Sequence, residues 1–210
     1  MPRERDLEAH LLPFLARKSD HVPRVHARGI PPPLVVAKRW LLLEDTIDAA
    51  GACEGDPRGI VAAKHAIEGA VERDGPALRA LGVPELAPAA IAALAERTGA
   101  PPQLVADARE AAARLDDWPR GLVHGDLTCT NTSIVDGRVL LDEWRWAYLG
   151  CPLLDIVRLT DSLVARSEAV LGIGLSRVYG ALVGRAIGTD ELRAAELLER
   201  IVSRYVRDYT

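Results

Sequence analysis

The sequence predicts an α+β chain: a small strand-bearing N-terminal part, then a mostly helical remainder. Three observations point there. Near the N-terminus, Leu34-Val35-Val36 and Trp40-Leu41-Leu42-Leu43 are apolar runs on either side of Lys38-Arg39, which reads as a strand pair or hairpin. From about Pro57 to Leu115, and again from Pro152 to the end, apolar residues recur at helical spacing. Between those spans lie three short apolar runs, Gly121–Val123, Ser133–Val135 and Arg138–Leu141, and Asp136-Gly137 between the last two signals a tight hairpin.

Taken in order, Leu7, Leu11, Leu12, Phe14 and Leu15 suit a short amphipathic helix from Asp6 to about Leu15, with Pro13 predicting a kink or an early end. Val22-Pro23-Arg24-Val25 is an extended piece and Pro31 to Pro33 a turn. Asp56-Pro57 reads as an N-cap followed by proline at the first helical position. Ile60, Val61, Lys64, Ile67 and Val71 then form one stripe. Prolines 84, 88, 101 and 102 punctuate the span before a helix from about Gln103 to Leu115. The last helix starts at Thr189-Asp190 and buries Leu192, Leu197, Leu198, Ile201, Val202 and Tyr205.

Composition narrows the function. With 210 residues, 49% hydrophobic and 27% charged, the chain has the profile of a soluble globular protein and can bury a core without staples. A net charge of −4 gives no general attraction to nucleic acid or to an anionic membrane, so neither is expected as a partner. The charged N-terminus has no apolar run behind it, so no signal peptide or spanning segment is expected. Cys53, Cys129 and Cys151 form an odd, unpatterned set, which predicts reduced thiols and a cytoplasmic chain. His65 reads as a solvated or satisfied histidine. Glu191, Glu196 and Glu199 interleave with Arg193, Arg200 and Arg204 as a mixed, solvated helix face.

The chemistry concentrates in Leu122-Val123-His124-Gly125-Asp126-Leu127-Thr128-Cys129-Thr130-Asn131. An apolar strand delivers His124, Gly125 permits a tight path, and Asp126 follows at once. Asn131 comes five residues later, and the hairpin then ends in Asp142. Phosphoryl transfer needs this inventory: a carboxylate to orient the attacking hydroxyl and take its proton, and an amide oxygen with a second carboxylate to hold magnesium against the phosphates. Taken singly, Asp126 also suits a turn, Asn131 a cap and Asp142 a strand end.

The ordered set resembles the His-Gly-Asp, four residues, Asn, hairpin, Asp motif of aminoglycoside phosphotransferases, choline kinases and their relatives, which share a fold with protein kinases. The following stretch, Trp144 through Gly150-Cys151-Pro152 to Asp155, is similar to the family's next segment. The resemblance implies a protein-kinase-like fold and ATP-dependent (or other NTP-dependent) phosphorylation of a hydroxyl on a small molecule, with Mg2+. It makes Asp126 the catalytic carboxylate, Asn131 and Asp142 the magnesium ligands, and His124 and Asp155 structural braces. Trp40 to Glu44 becomes the hinge strand, with Glu44 and Asn131 at the nucleotide. Spacing from Gly150 leaves a second metal-ligand candidate: it falls on Glu143, whereas Asp142 directly follows the apolar strand.

Upstream, Glu8 to Leu15 resembles the family's N-lobe helix, with Glu8 as its glutamate. Only seven residues precede Glu8, fewer than the family's first strands, phosphate loop and lysine need. Lys38 lies after that helix and is placed in a hairpin turn instead. The expected organisation is residues 1–45 as a reduced N-terminal lobe and 46–210 as a helical C-terminal lobe carrying the loop and hairpin. The acceptor would bind between the hairpin and the helical tail. A catalytically impaired or truncated relative with a binding or regulatory role is the alternative. Neither the acceptor nor the oligomeric state is legible.

Overall fold

A computed structural model describes residues 5–29, 40–46, 50–54, 56–165 and 174–207. Helix α1 (Arg5–Leu15) buries Leu11, Leu12 and Leu15 completely. It runs through Pro13 without the expected early end, because burial of that apolar face outweighs one missing N–H donor.

Strand β1 (Val25–Gly29) pairs antiparallel with β2 (Trp40–Leu43), from Val25 opposite Leu43 to Gly29 opposite Trp40. The 40–43 strand expected from sequence is present, and β1 is its described partner. The extended piece at Val22–Val25 continues to Gly29 and pairs with 40–43, whose other expected partner is the 34–36 run. That run, the 31–33 turn and Lys38 lie outside the described residues.

Helix α2 (Arg58–Val71) follows, with the Asp56 carboxylate accepting the Arg58 N–H at 3.0 Å. Its expected stripe is buried in full, Lys64 included. Helices α3 (Gly75–Ala80), α4 (Pro88–Arg97) and α5 (Pro102–Arg114) come next, and α4 and α5 pack on a later helix. Strand β4 (Gly121–Val123) pairs with β7 (Tyr148–Gly150), and β5 (Thr132–Val135) with β6 (Arg138–Leu141). Asp136 and Gly137 both have positive φ (51° and 74°), which suits a two-residue turn in a right-twisted hairpin. A short strand β3 (Ala50–Gly51) adds to the edge of β5. Helix α6 (Leu153–Ala165) buries Leu153 to Val157, then α7 (Leu175–Leu182) and α8 (Thr189–Val202) complete the helical packing.

The cysteine expectation is overturned. Cys53 and Cys129, 76 residues apart, form a disulfide, and Cys151 is the buried free thiol. The fold brings the 3-10 turn at Ala52–Glu54 against strand β5, a proximity that sequence spacing does not show. The bond removes the cysteine-based ground for a cytoplasmic chain. Among the described residues no helix is long and apolar enough to cross a membrane.

Candidate active site

Strand β4 ends at Val123, and the chain turns through His124-Gly125-Asp126 toward the hairpin. Gly125 has φ 81°, and a Cβ there would collide with the carbonyl oxygen of Trp146. The turn therefore needs glycine, and the tight path delivers Asp126 directly beside the strand end.

Two groups hold the turn from beneath. The Asp155 carboxylate, 1% exposed, accepts the His124 N–H at 2.7 Å and the Gly125 N–H at 3.0 Å. The Lys64 ammonium, fully buried, lies 3.2 Å from Asp155, donates to the Leu122 carbonyl at 2.8 Å and pairs with Glu68. Burial disfavours the Lys64 charge, but the Glu68 and Asp155 carboxylates outweigh it and raise its pKa. The Tyr179 hydroxyl completes the cluster by donating to Glu68 at 3.0 Å.

His124 ties the turn to the hairpin. Its Nε2 lies 2.6 Å from the Asp142 carbonyl, and its Nδ1 accepts the Asp126 N–H at 3.2 Å. A carbonyl only accepts, so the ring carries its proton on Nε2 and is neutral. Burial lowers its pKa, against the raising effects of Asp155 and the Asp142 carbonyl. The ring packs on Trp144, with centroids 4.5 Å apart.

Asn131 ends the loop in a 3-10 turn (Cys129–Asn131) and aims its amide nitrogen at the Asp126 carbonyl (2.9 Å) and carboxylate (3.1 Å). Asp142 lies just past the Thr132–Leu141 pair, and its N–H donates to the Asn131 carbonyl at 3.0 Å. The hairpin thus closes the sequence gap between the two residues. Burial raises the Asp142 pKa; the Ser133 hydroxyl at 3.4 Å opposes the shift and the nearby Glu44 charge adds to it. Glu143, in contrast, takes a left-handed backbone (φ 62°) and turns to pair with Arg145. The geometry groups Asp142, not Glu143, with Asn131 and Asp126.

Glu44 and Glu8 each make contacts within the chain. The Glu44 N–H donates to the Arg24 carbonyl, and its carboxylate pairs with Arg138 and accepts the Arg24 N–H. The Glu8 carboxylate accepts the Trp144 N–H at 3.0 Å, and burial raises its pKa. It braces the segment after the hairpin.

Four residues escaped the sequence reading. Lys64 was legible only as a charge on an apolar stripe. Arg158 carried no motif signal, yet its Nη2 reaches Asp126 Oδ1 at 3.0 Å. Glu199, read as solvated, is 4% exposed and faces Arg158; the mixed-face reading fails there because α8 turns that position inward. Glu191 likewise is engaged, accepting from the Trp118 ring N–H at 2.9 Å and from the Gly188 N–H at 2.8 Å. A cavity of about 670 Å³ lies behind the β4–β7 ladder, lined by His65, Glu68, Trp118, Gly121 and Tyr179 among others, and none of Asp126, Asn131 or Asp142 borders it.

No group of three or more His, Cys, Asp or Glu among the described residues is placed to hold a metal unaided. Asn131 and Asp142 offer hard oxygen donors, one of them a partly desolvated carboxylate. That set suits magnesium, which takes one or two carboxylates and completes its shell with water and substrate phosphates.

A family model described as a phosphotransferase enzyme family matches residues 2–197. No curated protein matches the chain at a significant level. Among solved structures, the chain is similar to the aminoglycoside phosphotransferase APH(3'')-Id from Streptomyces rimosus in complex with ADP and streptomycin: 15% identity, 94% of this chain and 82% of that one, TM-score 0.66. It is similar to the GDP and kanamycin complex of APH(2'')-IIIa at 14% identity, 99% and 77% coverage and TM-score 0.70. It is also similar to a choline/ethanolamine kinase family protein from Mesorhizobium loti at 16% identity, 97% and 68% coverage and TM-score 0.64. At these identities the likeness establishes the expected α+β fold.

Proposed function

The chain belongs to the phosphotransferase enzyme family, and from that premise we propose that it transfers the γ-phosphoryl group of ATP or another nucleoside triphosphate to a hydroxyl of a small molecule. One observation carries the reading. Asn131 hydrogen-bonds Asp126 through its side chain and meets Asp142 through its backbone, so the three motif residues lie on directly adjoining segments.

Asp126 orients the acceptor hydroxyl and takes its proton while the new O–P bond forms and the bond to the leaving diphosphate oxygen breaks. Asn131 Oδ1 and the Asp142 carboxylate would hold magnesium, which when bound neutralises phosphate charge. His124 and Asp155 keep the turn rigid, so that Asp126 meets the hydroxyl already aligned. Residues 1–45 act as a small N-terminal lobe, with Glu44 at the nucleotide edge, and the helical remainder supplies the acceptor side. The nucleotides and aminoglycosides in the similar structures support a nucleotide donor and a hydroxyl-bearing acceptor.

Thermal shift with ATP and with GTP, each with and without magnesium, tests the site. A magnesium-dependent rise in melting temperature is expected; Asp142→Asn removes that dependence and Glu143→Gln leaves it. A folded protein that shifts with neither nucleotide in magnesium overturns the reading.

A further inference from the structure

Arg158 lies one turn beyond Asp155 on α6, so the helix that braces the turn from beneath also lifts a guanidinium to its front. Its Nη2 and Nε donate to Asp126 Oδ1 at 3.0 and 3.3 Å, while Asn131 takes Oδ2. From the other side Glu199 of α8 comes within 3.8 Å of Nε, itself accepting the Ser203 hydroxyl at 2.5 Å. Two acids from different elements thus fix the guanidinium, and its side chain is 31% exposed, so it is not sealed from solvent or ligand.

We propose that Arg158 is a catalytic residue whose guanidinium stabilises the charge on the phosphoryl group in flight. The inference rests on the function proposed above. An acceptor hydroxyl held by Asp126 attacks phosphorus from about 3–3.5 Å. A cation 3.0 Å from the Asp126 carboxylate therefore stands one hydroxyl away from the phosphoryl oxygens. Those oxygens carry the charge of a loose transition state, and an arginine supplied in cis or in trans is an effective stabiliser of it. Asp126, Asp142 and Glu199 make the surroundings acidic, and a nucleotide adds more negative charge, so a fixed cation there has large leverage. Arginine also suits the geometry better than lysine: its planar fork can keep Asp126 on one edge and offer the other edge to phosphate. No bond to Arg158 forms or breaks, and it keeps its protons throughout.

A transition-state mimic tests this without a known acceptor. Melting temperature is measured with MgADP, then with MgADP plus aluminium fluoride, for the parent, Arg158→Gln, Arg158→Lys, Asp126→Asn and the double variant Asp126→Asn with Arg158→Gln. The fluoride is expected to add a further rise in the parent. Arg158→Gln loses that rise and keeps the MgADP shift, and Arg158→Lys recovers part of it. The rise persists in Asp126→Asn and vanishes in the double variant, because Arg158 acts on the phosphoryl and not through Asp126. An equal rise in the parent and in Arg158→Gln, no rise in the parent, or no difference between Asp126→Asn and the double variant each overturns the assignment. Absence of any MgADP shift in the folded parent instead sinks the nucleotide site itself.

Discussion

Replacing Asp155 with alanine removes a buried charge that three groups need. The His124 and Gly125 N–H donors lose their acceptor, and Lys64 keeps only Glu68 and the Leu122 carbonyl. An unsatisfied buried donor costs roughly 1–3 kcal/mol, and breaking one side of a buried ion pair roughly 3–5 kcal/mol. These overlap, since one carboxylate serves all three partners, so the net loss is about 3–5 kcal/mol. For a chain of this length that lowers the melting temperature by about 6–20 °C. Asp155→Asn keeps one acceptor oxygen and should lose less. If the pair matters as a pair, Lys64→Met costs at least about 1 kcal/mol less in the Asp155→Asn background than in the parent. Thermal and urea unfolding of the parent, Asp155→Ala, Asp155→Asn, Lys64→Met and the Asp155→Asn Lys64→Met double variant reads both numbers. A parent-like melt of Asp155→Ala, or strictly additive Lys64 and Asp155 effects, refutes the buried cluster.

Gly125→Ala should destabilise by at least about 1–2 kcal/mol, the penalty of a left-handed backbone for a residue with Cβ, because the collision with Trp146 adds to it; urea unfolding checks it, and a neutral result contradicts the turn. Reducing the Cys53–Cys129 disulfide reopens a 76-residue separation, worth on the order of 3–5 kcal/mol by chain entropy, so a dithiol reductant should lower the melting temperature and Cys129→Ser should abolish that response. Burial holds His124 below its ordinary pKa of 6.5, so the unfolded chain takes up the proton first. Its contribution is full above that value and declines as pH falls toward the lowered one; urea unfolding between pH 7.5 and 5 should show a slope that His124→Asn flattens.

The motif was legible because it is local: a strand, a glycine turn, a fixed five-residue step from Asp126 to Asn131, and a hairpin whose turn residues announce it. The position of Asp142 directly after the hairpin strand was also legible, since it follows from the apolar run before it. What stayed hidden depends on distant segments. Lys64 is 91 positions from Asp155, and only the tertiary fold makes a lysine in an apolar stripe into a partner for a buried carboxylate. Arg158 and Glu199 meet because α6 and α8 pack together, and the disulfide exists because a turn near residue 53 rests on the loop. The β1–β2 ladder stayed hidden for the same reason: the apolar run shows that 40–43 is a strand, and nothing in it specifies β1 as a partner.

The central claim is that Asp126 serves as the base in phosphoryl transfer. Its most direct test is the rate of γ-phosphate transfer from saturating MgATP to an acceptor found in a panel of hydroxyl-bearing small molecules, measured for the parent and for Asp126→Asn. The substitution keeps shape and hydrogen bonding and removes charge and basicity. General-base catalysis contributes about 10²–10⁴-fold, so the rate should fall by that order while MgATP affinity and melting temperature stay near the parent's. Transfer at an equal rate by folded Asp126→Asn contradicts the assignment.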